Sequence, residues 1–259
     1  MKDGLKLFLS LLLSVIIPSA AAGQAKVYTK KELMADFLTR TTKVVLSGSN
    51  PMELALKTEV STRWVTTPYE FCTVEEFGKL QGNNEYYFLR LLSDDGVVFL
   101  SLSKGGKEND SNRIKRGFEV VRLPIAADGM FSGEEVMMLG AFLDIIQDFA
   151  ESAMTSDRIG YSGLMHCNTK KMNGKTIMLD AEDASIAVQN RESDMVVPVF
   201  VVPQNGSHGY KMLISTDTYE LLYFNRFPVK NDNTPDRFGK TEILKFKARN
   251  ANIAGNIPD

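Results

Sequence analysis

One short segment carries the residue types that nucleophilic catalysis requires. Ser162 lies in a Gly-Tyr-Ser-Gly run at 160–163, and His166 and Cys167 follow it closely. A serine or cysteine activated by a histidine base would carry out acyl transfer. The motif that exposes such a serine has the form G-x-S-x-G, however, and Leu164 occupies the place of its second glycine. Neighbouring side chains such as His166 and Cys167 also tend to point apart, so the pattern favours a linker with a structural cysteine.

The histidine content limits the other chemistry that the chain can support. Its two histidines are His166 and His208, and neither is paired with a second histidine or with a Cys-x-x-Cys motif. Zinc sites normally show such short spacings, so we expect no metal and no cofactor. His208 lies in a glycine-rich turn. The sequence allows two roles for it: an exposed turn histidine, or a base for Ser162 or Cys167.

Residues 1–22 have the layout of a secretory signal peptide. Lys2 and Lys6 flank the start of an apolar run at 7–17, and small residues follow up to Ala22. The run is too short to favour a membrane-spanning helix. We therefore expect cleavage after Ala22 and an exported mature chain, periplasmic or secreted, with no stable membrane insertion.

Export bears on the state of the two cysteines, Cys72 and Cys167. An oxidising compartment permits a disulfide bond between them. Their spacing in the sequence does not place their Cα atoms within bridging distance, so two separate buried thiols remain the other alternative.

The charge balance argues against nucleic acid as a partner. The full chain of 259 residues has 30 basic and 32 acidic side chains, and removing Lys2, Lys6 and Asp3 with the signal peptide leaves 28 and 31, a net charge of −3. Such a chain has no basic surface large enough to suggest nucleic-acid binding. Its hydrophobic content of 44% indicates an ordinary packed core.

The clearest structural pattern lies in the first half of the chain. Apolar runs predict strands at 43–47, 69–72 and 86–92. Asn50 and Pro51 are typical of a helix start, and the apolar stripe behind them predicts a helix over 51–64. Thr73 and Glu76 form a capping box that begins a second helix. Strands that alternate with helices in this order predict an α/β fold, layered, with a mixed sheet and hairpins.

The remaining elements suggest two similar α/β units in tandem. We predict helices at 30–41, 133–154, 181–189 and 234–247, strands at 118–125, 175–180 and 195–202, and hairpins at 86–103 and 210–225. A segment at 156–174, rich in Gly, Ser, Asn and Thr, is the predicted linker between an N-terminal unit at 23–155 and a C-terminal unit at 175–248. Residues 249–259 are predicted to form a loose tail. The similar order of elements in the two units raises an internal duplication as a hypothesis.

One run of residues resembles a known group of proteins. The run Trp64-Val65-Thr66-Thr67-Pro68-Tyr69-Glu70-Phe71, with the later 75–77 and 86–89, resembles a loosely defined group of exported α/β proteins of unknown function that is common in Bacteroidota. The resemblance covers 40–103 and, more weakly, 175–226. It implies export from a Gram-negative cell and transfers no active-site residue.

The sequence has clear helix and strand patterns but no metal or nucleophile motif, and the functional hypothesis follows from this combination. We expect an exported, non-enzymatic binding or envelope-associated protein with an unidentified protein or small-molecule partner in the cell envelope. The alternative is a hydrolase that uses Ser162 or Cys167 with a histidine base. A histidine hydrogen-bonded to either residue inside a pocket would favour the hydrolase.

Overall fold

The computed structural model describes residues 30–48, 51–107, 109–129, 133–165, 167–179, 184–229 and 237–255. Within these ranges the chain forms two five-stranded mixed sheets with helices packed against them. The predicted α/β class is therefore confirmed. The predicted signal peptide, Asn50 and His166 lie outside the described residues.

The first sheet has the strand order β2-β1-β3-β4-β5. Its strands are β1 (Thr41–Leu46), β2 (Tyr69–Thr73), β3 (Tyr86–Asp94), β4 (Val97–Lys104) and β5 (Phe118–Ala127). The helices of this half are α1 (Lys30–Leu33), α2 (Pro51–Arg63), α3 (Val74–Leu80) and α4 (Gly133–Thr155). Strand β1 runs parallel to β2 and β3, whereas β4 and β5 continue the sheet as antiparallel strands.

The second sheet has the strand order β10-β6-β7-β8-β9. Its strands are β6 (Thr176–Met178), β7 (Met195–Val201), β8 (His208–Ser215), β9 (Leu221–Pro228) and β10 (Asn252–Ala254). The helices of this half are α5 (Asp157–Ser162), α6 (Ala184–Gln189) and α7 (Lys240–Lys247). Strand β6 is parallel to β10 and β7, and β8 and β9 follow as antiparallel strands. The two sheets thus share one sequence of strand directions, which supports the hypothesis of two similar units.

Local sequence signals account for several of these elements. The capping box at the start of α3 is present, because the Thr73 hydroxyl accepts from the Glu76 N–H at 3.2 Å and the Glu76 carboxylate accepts from the Thr73 N–H at 2.8 Å. Asp95 and Gly96 have positive φ angles of 51° and 74° in the turn between β3 and β4. Asp and Gly tolerate this conformation best, which explains why the turn forms at these residues.

The Trp64–Phe71 corner joins the first sheet to α4 through buried polar contacts. The Trp64 Nε1–H donates to the Thr67 hydroxyl at 2.9 Å, and that oxygen lies 2.7 Å from the Thr42 hydroxyl on β1. Gln147 of α4 accepts from the Val65 N–H at 2.9 Å and donates to the Arg63 carbonyl at 3.1 Å. These contacts satisfy the backbone where α2 ends.

Helix α4 lies at the centre of the molecule. Its buried residues include Leu139, Phe142, Leu143 and Ile146, which follow one another around the helix, so it is covered on more than one side. One hydrophobic cluster contains these residues together with side chains of both sheets, for example Val44 and Ile214. The core therefore continues from the first half into the second.

Four segments differ from the sequence-based expectation. The helix predicted at 30–41 is short: α1 ends at Leu33, and a 3₁₀ turn follows at Phe37–Thr39, where Asp36 bonds to Arg40, Tyr87 and Lys104. These bonds hold Asp36 toward the sheet and interrupt the helix. The final helix, α7, begins only at Lys240, and residues 230–236 ahead of it are not described.

The predicted linker is largely ordered into short helices. It contains α5 and two 3₁₀ turns, Gly163–Met165 and Thr169–Met172. Leu164 and Met172 are buried, so these apolar residues hold the segment on the protein despite its polar composition.

The prediction of a loose tail is wrong for residues 252–254. They form β10 and pair with β6 along its whole length. The buried Ile243 and Phe246 fix α7 against the second sheet, and the chain then returns along the sheet edge. No helix in the described part of the chain is long and apolar enough to cross a membrane.

Candidate functional site

A cavity of about 570 Å³ lies where α4, the connecting segment 156–174 and the start of β9 meet. Its lining includes the apolar side chains of Ile145, Phe149, Ile159, Leu164 and Leu221, together with eight polar or charged residues. Ile145 and Phe149 are one helical turn apart on α4, so both side chains face the cavity from the same side of the helix. The cavity thus offers a hydrophobic surface to a small molecule.

Two carboxylates stand on the side formed by α4 and β9. Asp148 shares the cavity-facing side of α4 with Ile145, and Glu220 directly precedes β9. Glu220 forms an ion pair with Lys171 and accepts from the Thr218 hydroxyl at 3.2 Å. Asp148 is solvent-accessible and has no hydrogen bond or ion pair with another described residue.

The environment of Asp148 disfavours its charged form. The surrounding protein removes water from the carboxylate, and the negative charges of Glu220, Asp144 and Glu151 add to this effect. Together they raise the pKa of Asp148 from 3.8 to about 6, although Lys171 acts in the opposite direction. A group that supplies a positive charge here would therefore stabilise the ionised Asp148.

Three cations also line the cavity. Arg158 comes from α5, Lys170 from the 3₁₀ turn Thr169–Met172, and Arg249 from the chain between α7 and β10. All three side chains are exposed, and none makes a hydrogen bond or ion pair with another described side chain. By contrast, Arg63 and Arg122 on other surfaces are each paired with two carboxylates. The cavity lining therefore contains three cations and one carboxylate, Asp148, that are not paired with another described side chain.

Of the residues considered as nucleophiles, Cys167 lines the cavity. Its thiol is partly buried and donates to the Leu164 carbonyl at 2.7 Å. Burial raises the pKa of this thiol to about 12, so it stays protonated at neutral pH and is a poor nucleophile. Ser162 is exposed at the end of α5 and is not part of the cavity wall.

His208 belongs to a different cluster at the start of β8. Its Nδ1 lies 2.9 Å from the Ser207 hydroxyl and 3.0 Å from the Arg226 guanidinium. The Asp95 carboxylate accepts from the Ser207 N–H at 3.0 Å and also from its hydroxyl. Because both Asp95 and His208 contact the serine, the histidine does not stand between acid and nucleophile as a catalytic triad requires.

This cluster has a structural explanation. It joins the turn between β3 and β4 to the loop before β8, and a Cβ at Gly206 would lie 2.1 Å from the Asp95 carbonyl oxygen. The glycine permits this close approach of the two backbones. The structure thus holds His208 at a junction between the sheets and gives it no hydrogen bond to Ser162 or Cys167.

The cysteines occupy separate places and are both free. Cys72 is buried in a small cluster with Val45 and Phe88, whereas Cys167 lines the cavity. The structure therefore has two separate thiols, the second of the two alternatives considered for these cysteines, and no disulfide bond between them. Among the described residues no group of three or more His, Cys, Asp or Glu side chains is placed to hold a metal ion.

The sequence analysis missed Asp148, Arg158, Lys170, Glu220 and Arg249. They are distributed over about a hundred residues and come together only when α7 and β9 pack, so no short sequence pattern predicts that they line one cavity. Asp148 alone had a local signal, since it is a charge beside the apolar Ile145 and Phe149 on one face of a helix. No protein-family model, no curated protein and no solved structure matches the chain.

Proposed function

We propose that the protein is an exported binding protein, without enzymatic activity, that takes a small molecule into the cavity between α4 and the connecting segment. The observation that carries the proposal is a cavity of about 570 Å³ in which apolar side chains stand beside charged ones. Small-molecule sites are concave and combine hydrophobic surface with polar groups that fix orientation, and this cavity contains both.

The geometry of the nucleophile candidates supports binding over hydrolysis. The Cys167 thiol is held protonated, and Ser162 is exposed outside the cavity. The hydrogen bonds of His208 go to Ser207 and Arg226. No observation on the described residues favours the hydrolase alternative specifically.

A cavity-filling substitution tests the binding function. Ser152 is a cavity residue on α4, and Ser152→Trp would fill the space without removing a core side chain. We expect a small-molecule extract of the cell envelope to raise the melting temperature of the wild-type protein and to have no effect on Ser152→Trp. The matched control is Ser61→Trp on the exposed side of α2, which should respond like the wild type. An equal response of all three proteins would contradict binding in this cavity.

Export is part of the same proposal and rests on residues 1–22 and on the resemblance of 64–71 to exported proteins. Mass spectrometry of the protein from a periplasmic or culture fraction should show a chain that begins at Gly23. A full-length chain confined to the cytoplasm would contradict export.

A further inference from the structure

Strand β2 is an edge of the first sheet, and one of its two sides has no neighbouring strand in the described part of the chain. The Thr42 N–H of β1 donates to the Pro68 carbonyl at 2.8 Å, and from there alternate residues of β2 point their backbone groups to β1. The N–H and C=O groups of Tyr69 and Phe71 therefore point away from β1. Among the described residues these groups have no hydrogen-bond partner.

The other sheet edges are covered or short. On β5 the Val120 carbonyl accepts from the Lys30 ammonium at 2.9 Å, and β9 packs against the two 3₁₀ turns of the connecting segment. Strand β10 has three residues. The pairing of β1 with β2 is regular, without the bulge that often protects an open edge. β2 is therefore the edge best suited to pair with a further strand.

Exposed apolar side chains lie at both ends of β2. Val65, which precedes the strand, is 84% exposed, and Leu54 of α2 is 69% exposed, the two highest values for large apolar side chains in the described ranges. The Lys57 ammonium lies 5.4 Å from the Phe71 ring centroid, and Leu54 is one turn from Lys57 on the same side of α2. α2 starts where β1 ends, so Leu54 stands at the C-terminal end of β2, as does the exposed Val74.

A second copy of β2 matches this edge in its backbone groups and its charges. In an antiparallel pair centred on Phe71, the Phe71 residues of the two copies exchange two N–H···O=C bonds, and each Tyr69 N–H faces the Thr73 carbonyl of the other copy. Glu70, the one charged residue of β2, then faces Cys72, so no like charges meet. The Glu70 carboxylate keeps its ion pair with Lys43 of β1.

The apolar side chains match in the same arrangement. Because the two strands run in opposite directions, the C-terminal end of each, with Leu54 and Val74, lies beside the N-terminal end of the other, with Val65. Apolar surface exposed in the single chain is thereby removed from water.

We propose that the protein forms a homodimer in which two β2 strands pair antiparallel around a two-fold axis at Phe71. The five-stranded first sheets of the two copies then join into one sheet of ten strands. The partner that this surface fits is a second copy of the chain, because self-pairing satisfies the backbone, the charges and the apolar ends together.

Sedimentation velocity of the mature chain over about 1 to 200 µM tests the dimer. We expect a monomer–dimer equilibrium whose dissociation constant rises about tenfold or more in Leu54→Glu, because the carboxylate would enter the interface. The matched control is Leu244→Glu on α7, a leucine that is 60% exposed in the other half of the chain, and it should dimerise like the wild type. A wild-type monomer at every concentration, or equal dimerisation of Leu54→Glu, would overturn the proposal.

A second pair of variants tests the backbone pairing itself. Phe71→Ala and Phe71→Pro both lose the ring, but only proline loses the N–H that points away from β1, a place where edge strands tolerate proline. Phe71→Pro should therefore dimerise more weakly than Phe71→Ala, and equal dissociation constants would contradict pairing through β2.

Amide hydrogen exchange of the wild type, measured by NMR, needs no substitution. Exchange at Tyr69 and Phe71 should slow as the protein concentration rises, whereas the Thr73 amide, already bonded to the Glu76 carboxylate at 2.8 Å, serves as the internal control. Exchange at Tyr69 and Phe71 that does not depend on concentration would overturn the proposal.

Discussion

At the scale of single residues, Asp148 links the cavity to the pH dependence of stability. Folding raises its pKa from 3.8 to about 6, so the folded protein binds more protons than the unfolded chain between these values. By linkage the free energy of unfolding then falls as the pH rises through this window. Removal of water from the carboxyl is the largest cause of the raised pKa, and Glu220, Asp144 and Glu151 add to it while Lys171 opposes them.

Asp148→Asn should remove this contribution. We expect the variant to be more stable than the wild type at pH 7, with the difference shrinking as the pH falls toward 3.8, because the wild-type carboxyl is then protonated in both states. Urea denaturation across this range measures the effect. Asp157→Asn, at the exposed start of α5, serves as the control for loss of one negative charge. A stability difference that does not depend on pH would contradict the raised pKa.

Cys167 and Cys72 give a second prediction at the residue scale. Without reductant, the denatured protein should take up two alkyl groups, because both thiols are free. In the native protein alkylation of Cys167 at pH 8 should be slow, since burial keeps its pKa at about 12. Mass spectrometry of the intact protein counts the alkyl groups. Uptake only after reduction would reveal a disulfide bond instead.

At the scale of elements, two buried lysines hold peripheral segments to the sheets. Lys104 of β4 donates to the Asp36 carboxylate at 2.7 Å and to the Leu33 carbonyl at 3.0 Å, and thereby fixes α1 and the turn after it. Lys211 of β8 donates to the Glu242 carboxylate at 3.0 Å and to the Arg237 carbonyl at 2.6 Å, and thereby fixes α7. β4 and β8 are each the fourth strand in the order of their sheet.

A tyrosine completes each of these contacts. The Tyr87 hydroxyl donates to Asp36 at 2.9 Å, and the Tyr223 hydroxyl donates to Glu242 at 2.8 Å. Lysine, carboxylate and tyrosine therefore anchor a helical segment to each sheet, although the tyrosines come from strands at different places in the strand order, β3 and β9.

Removing the carboxylate should cost more stability than removing the lysine. Asp36→Ala leaves the ammonium of Lys104 buried without its counter-charge, and loss of one partner of a buried pair typically costs about 3 kcal/mol. Lys104→Met replaces the charge by an apolar side chain of similar length and leaves Asp36 paired with Arg40, so a smaller loss is expected. Urea denaturation of both variants makes the comparison. Equal losses would show that the ammonium is not effectively buried.

The elements also show which parts of the fold were predictable. The capping box at Thr73 and the turn at Asp95 depend on residues close in sequence, and both were predicted correctly. Strand β10 was missed because its three residues become a strand only by pairing with β6, which is far away in the chain. The cavity shares this limitation: Cys167 was singled out for its type, whereas Arg158 and Arg249 gained significance only from their position in the folded protein.

At the scale of the whole molecule, the shared core determines how the two halves depend on each other. The cluster around α4 contains Val197, Met212 and Ile214 of the second sheet together with residues of the first. An isolated N-terminal half would therefore expose the apolar surface of α4 that the second half covers.

We expect the mature chain to unfold in one cooperative transition, with a calorimetric enthalpy equal to the van 't Hoff enthalpy. The fragments 23–155 and 175–259, expressed separately, should be poorly folded by circular dichroism. Two resolved transitions, or two well-folded fragments, would show instead that the halves are independent domains.

The position of β10 near the end of the chain also determines when the second sheet can be completed. In the first sheet the edge strand β2 follows β1 and α2 in the chain. In the second sheet the edge strand β10 follows β6 to β9 and α7, so it is the last strand to be made. Arg249 lies just before β10, so this lining residue of the cavity is also made late in the chain. During synthesis the edge of the second sheet beside β6 therefore stays open until β10 has been made and can pair with it.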